Sequence, residues 1–254
     1  MNTSSRHPDP RYLGSQRADV HPDVELLIAL WQRLAQHQGE FGPAYQWLLA
    51  QPWHPDTLLA ALPAATQTWL AAHPDREAQL TAARVIATFG NFMQRCPVGD
   101  RAGQIELAIA AYHLVLTVFS AATSPDDWAI TLNNLATAYH QRLGGSRADN
   151  LEQAIQLYQQ ALAVHTPQTW PVTMTGLARA YSDRQAGNPE QNLAQAIATY
   201  QQVLPTISRQ ALPVAWATVT AHLAAAYGDC QGPDRQGHID AAIDTYQQVW
   251  AAPR

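Results

Sequence analysis

The chain contains no lysine; all fifteen of its basic side chains are arginine. Charge is scarce as well, with 14% of residues charged and a net of −5. There is no basic stripe, which argues against a nucleic-acid partner. No apolar run reaches the ~20 residues of a membrane-spanning helix, so no membrane partner is expected. Cysteine occurs twice, at Cys96 and Cys230, without a CxxC pair. Neither a disulfide framework nor a zinc site is encoded by that spacing. The ten histidines show no HExxH and no close cluster, so no metal site is expected. No Gly-rich phosphate loop, Ser/His/Asp pattern or cofactor fingerprint is present. Residues 1–17 are polar and lack the apolar core of a leader peptide. These absences lead to the expectation of a cytoplasmic, non-enzymatic protein without cofactors, working by binding.

What is present is a pattern written three times. Trp128, Trp170 and Trp216 are each followed eleven residues later by Tyr139, Tyr181 and Tyr227. Sixteen residues on lie Ile155, Ile197 and Ile243, and three further on Tyr158, Tyr200 and Tyr246. Self-similarity at a fixed period means a stack of supersecondary units sharing one core. Trp128, Leu132, Leu135, Ala136 and Tyr139 share one face of a first helix. A loop of about ten residues, including 143–150, is expected next. Leu151, Ala154, Ile155, Tyr158, Ala161 and Leu162 share one face of a second helix. A degraded copy precedes these, with Phe89, Gly90, Met93, Ile109 and Tyr112 in the same slots. The copies are spaced by 46, 42 and 46 residues, with the variation in loops, where insertions cost little. The aromatic slots read as packing positions, and truncating one buried tryptophan is expected to cost roughly 3–5 kcal/mol.

Three regions follow: a disordered lead-in over 1–20, a helical capping block over 21–75, and a repeat array over 76–252 of about three and a half helix pairs. Within the block, Val24, Leu27, Trp31 and Leu34 form one stripe, and Pro63 is expected to break and restart a helix. His-Pro-Asp occurs at His7, His21, His54 and His73. That tripeptide marks J-domain co-chaperones, but no copy here follows a basic helix. It reads as a helix start, with proline at the first helical position and aspartate in the first turn.

Leu135, Ala136, Tyr139, Ala154, Tyr158, Ala161 and Pro167 resemble the tetratricopeptide repeat signature, recurring in register. The Leu132-Asn133-Asn134-Leu135 string and the 42-residue copy resemble the longer repeats of kinesin-light-chain type. The stretches 85–92, 97–99, 109–119 and 127–129 resemble the start of cyanobacterial arrays that often carry a C-terminal CHAT protease-like domain. No residues remain here for such a domain. The resemblance implies an all-α, right-handed α-solenoid of antiparallel helix pairs that scaffolds protein–protein interaction. An alternative is a regulatory module acting in trans with a CHAT-type protease.

By that resemblance the first helices line a concave groove for a peptide or protein segment. Polar residues off the apolar stripe are then expected to face it: Asn91, Arg95, Asn133, Thr137, Gln141, Thr175, Arg179 and Asp183. Asn and Gln can hold an extended backbone through paired donors and acceptors. A lysine-bearing clamp for a C-terminal carboxylate cannot form. Arg101, Arg142, Arg147, Arg184 and Arg235 make a loose row read as solvated loop charge, and Cys96 and Cys230 read as loop filler. The apolar slots of the last helix have no following repeat, so the expectation is either self-association through 238–252, by Ile243, Val249 and Trp250, or a shortened relative of a longer protein.

Overall fold

The computed structural model describes residues 21–37, 40–97, 99–164, 169–231 and 235–250, with side chains to residue 247. The lead-in over 1–20, with His7, lies outside the described residues, as do the side chains of Val249 and Trp250. Among the described residues the chain is all-α, with no strand. The helices are α1 (Pro22–Gln36), α2 (Phe41–Leu49), α3 (Pro55–Ala71), α4 (Arg76–Arg95), α5 (Arg101–Val115), α6 (Pro125–Gln141), α7 (Arg147–Leu162), α8 (Trp170–Ser182), α9 (Pro189–Val203), α10 (Pro213–Asp229) and α11 (Arg235–Trp250). From α4 onward they pair as α4/α5, α6/α7, α8/α9 and α10/α11, and each pair packs on the next. This is the α-solenoid of antiparallel helix pairs expected from the repeat.

Local chemistry sets the helix starts. The imidazoles of His21 and His54 accept from the Asp23 and Asp56 amides at 3.3 Å, ahead of Pro22 and Pro55. The third His-Pro-Asp copy works differently. There Asp75 is the cap, accepting from the Ala78 amide at 2.8 Å. His73 turns back to the Trp69 carbonyl at 2.7 Å. Asp100, Ser146 and Asn188 cap α5, α7 and α9 through backbone amides.

Two expectations need correction. Pro63 does not break its helix, since α3 is continuous through it. It lies on the exposed side, where water can take the carbonyl its missing N–H leaves free. The loop inside the second repeat is also shorter than expected, because α7 begins at Arg147 rather than Leu151. Gly145 has φ of 75°, and the equivalent Gly99 and Gly187 have 104° and 81°. Glycine enters that left-handed region without a Cβ penalty, so the chain reverses in a few residues. The turn is braced from below: the Asn150 amide donates to the Gly144 carbonyl and Asn192 to the Ala186 carbonyl, both at 2.8 Å.

One apolar core runs from Val24 to the last pair. Its largest repeat members are Tyr112, Tyr158, Tyr181 and Tyr200, all buried. The repeat tryptophans Trp128, Trp170 and Trp216 are only partly buried and pack at its margin. The fully buried tryptophan is instead Trp31 in α1. It meets Trp69 and Phe89 edge-on at 5.9 and 6.1 Å, and through it α1 packs on α3 and α4.

Candidate functional site

The first helices of the pairs form an inner row. α4 touches α6, α6 touches α8 and α8 touches α10, while no comparably extended contact joins α5 to α7 or α7 to α9. Closer approach along one row than the other means a stack that curves toward the row in contact. The face carried by α4, α6, α8 and α10 is therefore the concave one.

The eight residues expected in the groove all lie on these helices or at their ends, half-buried or exposed. Most, however, are engaged within the stack. Asn91 Oδ1 accepts from the Tyr112 hydroxyl at 2.8 Å and from Asn134 Nδ2 at 3.0 Å. Asn133 donates to Asn134 Oδ1 at 3.3 Å, and its own Oδ1 is buried without a partner. Thr137 shares a hydrogen bond of 2.9 Å with the Tyr158 hydroxyl. Gln141 accepts from Arg101 at 2.9 Å. Thr175 donates to its own helix, at the Pro171 carbonyl. Arg95 lies over the Phe41 ring at 5.8 Å. Asp183 Oδ2 stands 2.8 Å from Nε2 of the buried His140 and 3.3 Å from Arg147. That hydrogen bond to His140 holds the Asp183 carboxyl below the usual range, against desolvation, with help from the charges of His140, Arg179 and Arg147. Arg179 is an exposed cation with no hydrogen bond or ion pair among the described residues, and its charge acts on Asp183.

The arginine row is not solvated loop charge. Arg142 grips Glu106 of the preceding pair through two bonds of 2.7 and 2.9 Å. Arg184 grips Glu152 in the same way at 2.6 and 2.8 Å. Arg101 reaches the Gln94 carbonyl of its own first helix and Gln141 of the next pair. Arg147 repeats this with the His140 carbonyl and Asp183. These arginines fasten neighbouring pairs together. Arg235 begins α11 and is exposed. Cys96 and Cys230 are buried caps closing α4 and α10 rather than loop filler, and neither is in a disulfide.

A second ladder escaped the sequence reading. His113 meets the Tyr139 hydroxyl at 3.1 Å, Gln159 donates to Tyr181 at 3.0 Å and Gln201 to Tyr227 at 2.7 Å. Residues 113, 159 and 201 occupy one repeat slot, which was the available signal. Ile243 is exposed on α11. Among the described residues no group of three or more His, Cys, Asp or Glu could hold a metal ion, and no helix is long and apolar enough to cross a membrane.

No protein-family model matches the chain, and no curated protein matches it. Among solved structures, one described as kinesin light chain nearly identical TPR-like repeats, from Podosopora anserina, matches with a TM-score of 0.49 and 18% identity. The match covers 91% of this chain and 95% of that one. A likeness at that level carries no argument about this chain, and the architecture rests on the helix packing described above.

Proposed function

We propose that this protein is a protein–protein interaction scaffold that holds a peptide or protein segment of a partner along the concave face of α4, α6, α8 and α10. The observation that carries the reading is the inner row itself. It gathers half-buried and exposed polar groups from successive pairs onto one curved surface, while the outer helices stay apart. An extended segment laid across such a surface meets side chains of successive pairs in turn.

The test is site-directed photo-crosslinking. A crosslinking amino acid at Val172, on the inner row, is compared with one at the exposed Gln156 on α7. The expected result is one partner captured from position 172 in native lysate and not from 156. Equal capture at both positions, or none at 172, would remove the reading.

A further inference from the structure

The array contains its own comparison. The stretch from α8 to α10 follows that from α4 to α6 at a constant offset of 88 residues, one 46-residue step and one 42-residue step. At the α4/α6 joint two cross-links close the inner face. Arg84 grips Asp127 through Nε and Nη2, at 3.1 and 2.9 Å. Two turns along, Asn134 donates to Asn91 at 3.0 Å. The connecting segment packs down beneath them, with Phe119 buried and the Val118 carbonyl held by Arg76 at 3.0 Å.

At the α8/α10 joint every one of these residues is different. Arg84 and Asp127 correspond to Val172 and Ala215, and Phe119 to Ile207. The ion pair is gone, and a cavity of about 350 Å³ opens between Val172, Thr175, Ile207, Leu212 and Val219. Val172 is 62% exposed at its mouth. The Asn91–Asn134 pair corresponds to Arg179 and His222. Two asparagines satisfy each other, but an arginine offers donors only. Arg179 has no hydrogen bond or ion pair among the described residues, and His222 Nδ1 is buried without a partner. Burial, then the charge of Arg179, lowers the His222 pKa against the opposing charge of Asp183.

We infer that the α8/α10 joint is a two-part receptor for an extended partner segment, with an apolar side chain filling the cavity and an Asp or Glu side chain two residues away on Arg179 and His222. The inference rests on the concave-face reading and specifies its ligand. The charge follows from the Arg179 guanidinium, which has no hydrogen bond or ion pair among the described residues, since the carboxylate its charge acts on, Asp183, is engaged by His140 and Arg147. The spacing follows from the helix: Thr175 lines the cavity and Arg179 lies one turn on, a rise of about 6 Å. Along an extended segment, residues i and i+2 share a face and lie about 6.6 Å apart.

The test uses the full chain and a phage library of randomised heptapeptides with amidated synthetic copies of the winners. Wild type should select an apolar residue followed two positions later by Asp or Glu. Affinity for those peptides, by fluorescence anisotropy, should fall at least tenfold in Arg179→Glu. It should fall as far in Val172→Arg with Ala215→Asp, which rebuilds the bridge of the first joint. Arg179→Asn with His222→Asn, which rebuilds the asparagine pair, is the second route should Arg179→Glu unfold, and carries the same expectation. Winners without an acidic residue, winners that need a free C-terminal carboxylate, or unchanged affinity in these variants would overturn the two-part receptor. Where such peptides still lose binding on other inner-face substitutions, the concave-face reading survives. No selection at all would remove both.

Discussion

Gly90 and Gly228 sit in helices and have opposite prospects. Replacing a helical glycine by alanine gains up to about 1 kcal/mol of backbone preference. At Gly90 the new Cβ would stand 2.6 and 2.8 Å from Cε1 and Cζ of Tyr112. That ring is buried, and its hydroxyl is held by Asn91 at 2.8 Å and Gln94 at 3.0 Å. Overpacking of this kind costs about 1–3 kcal/mol, so Gly90→Ala should destabilise. At Gly228 nothing lies within 4 Å, and Gly228→Ala should stabilise by up to about 1 kcal/mol. Urea midpoints read both signs, and equal signs would refute the packing argument. Asp183 gives a second prediction. Its folded pKa is depressed, chiefly by the His140 hydrogen bond. Its contribution is therefore complete above the unfolded value of about 3.9 and is lost as pH falls through the lower folded value. The carboxylate is 41% exposed, so screening keeps the contribution below about 1 kcal/mol. The stability gap between wild type and Asp183→Asn should narrow as pH falls below the unfolded carboxylate value of about 3.9 and on through the lower folded value. A gap that widened on acidification would contradict the assignment.

Between elements, the Glu–Arg fastening is incomplete in an informative way. Glu106 pairs with Arg142 and Glu152 with Arg184. The same slots at the next joint hold Ala194 and Cys230, so both partners are missing together. Restoring them by Ala194→Glu and Cys230→Arg should give a favourable coupling of about 0.5–1 kcal/mol in a double-mutant cycle. Cys230→Arg alone should destabilise, because Cys230 is buried. The coupling should weaken with added salt, and a coupling of zero would place the slots out of reach of each other. This ladder also marks where the sequence stopped being legible. Helix pairing was readable because Leu135, Tyr139, Ile155 and Tyr158 repeat on fixed faces. The partners of Arg142 and Arg184 were not, since they lie 36 and 32 residues away and depend on how one pair seats on another. The groove residues were legible in part. Periodicity gave the direction of Asn91, Thr137 and Asp183, but not that their polar atoms are spent inside the stack. Arg179 stands out only when the two joints are compared.

Across the whole molecule, stability should run as a gradient along the stack. In a solenoid each unit is held by its own packing and its nearest neighbours. Helices α6 to α9 are packed on both sides, while among the described residues α11 packs extensively only on α10. The slots show the difference directly: Tyr158 and Tyr200 are buried, but Tyr246 is 41% and Ile243 48% exposed. Leaving a large apolar side chain uncovered forgoes roughly 1.5–3 kcal/mol. Opening of α11 should therefore be favoured by roughly a hundredfold over α7 for one such side chain and its neighbours, and hydrogen exchange by mass spectrometry should show α11 exchanging first. The same measurement tests self-association through 238–252. A second copy covering Ile243 and Tyr246 would protect α11 by mass action. Raising the protein concentration roughly twentyfold should then slow exchange in α11 while leaving α4 to α9 unchanged. Exchange in α11 that ignores concentration would remove self-association by this face, and would leave the gradient, which depends on neighbour packing alone, in place.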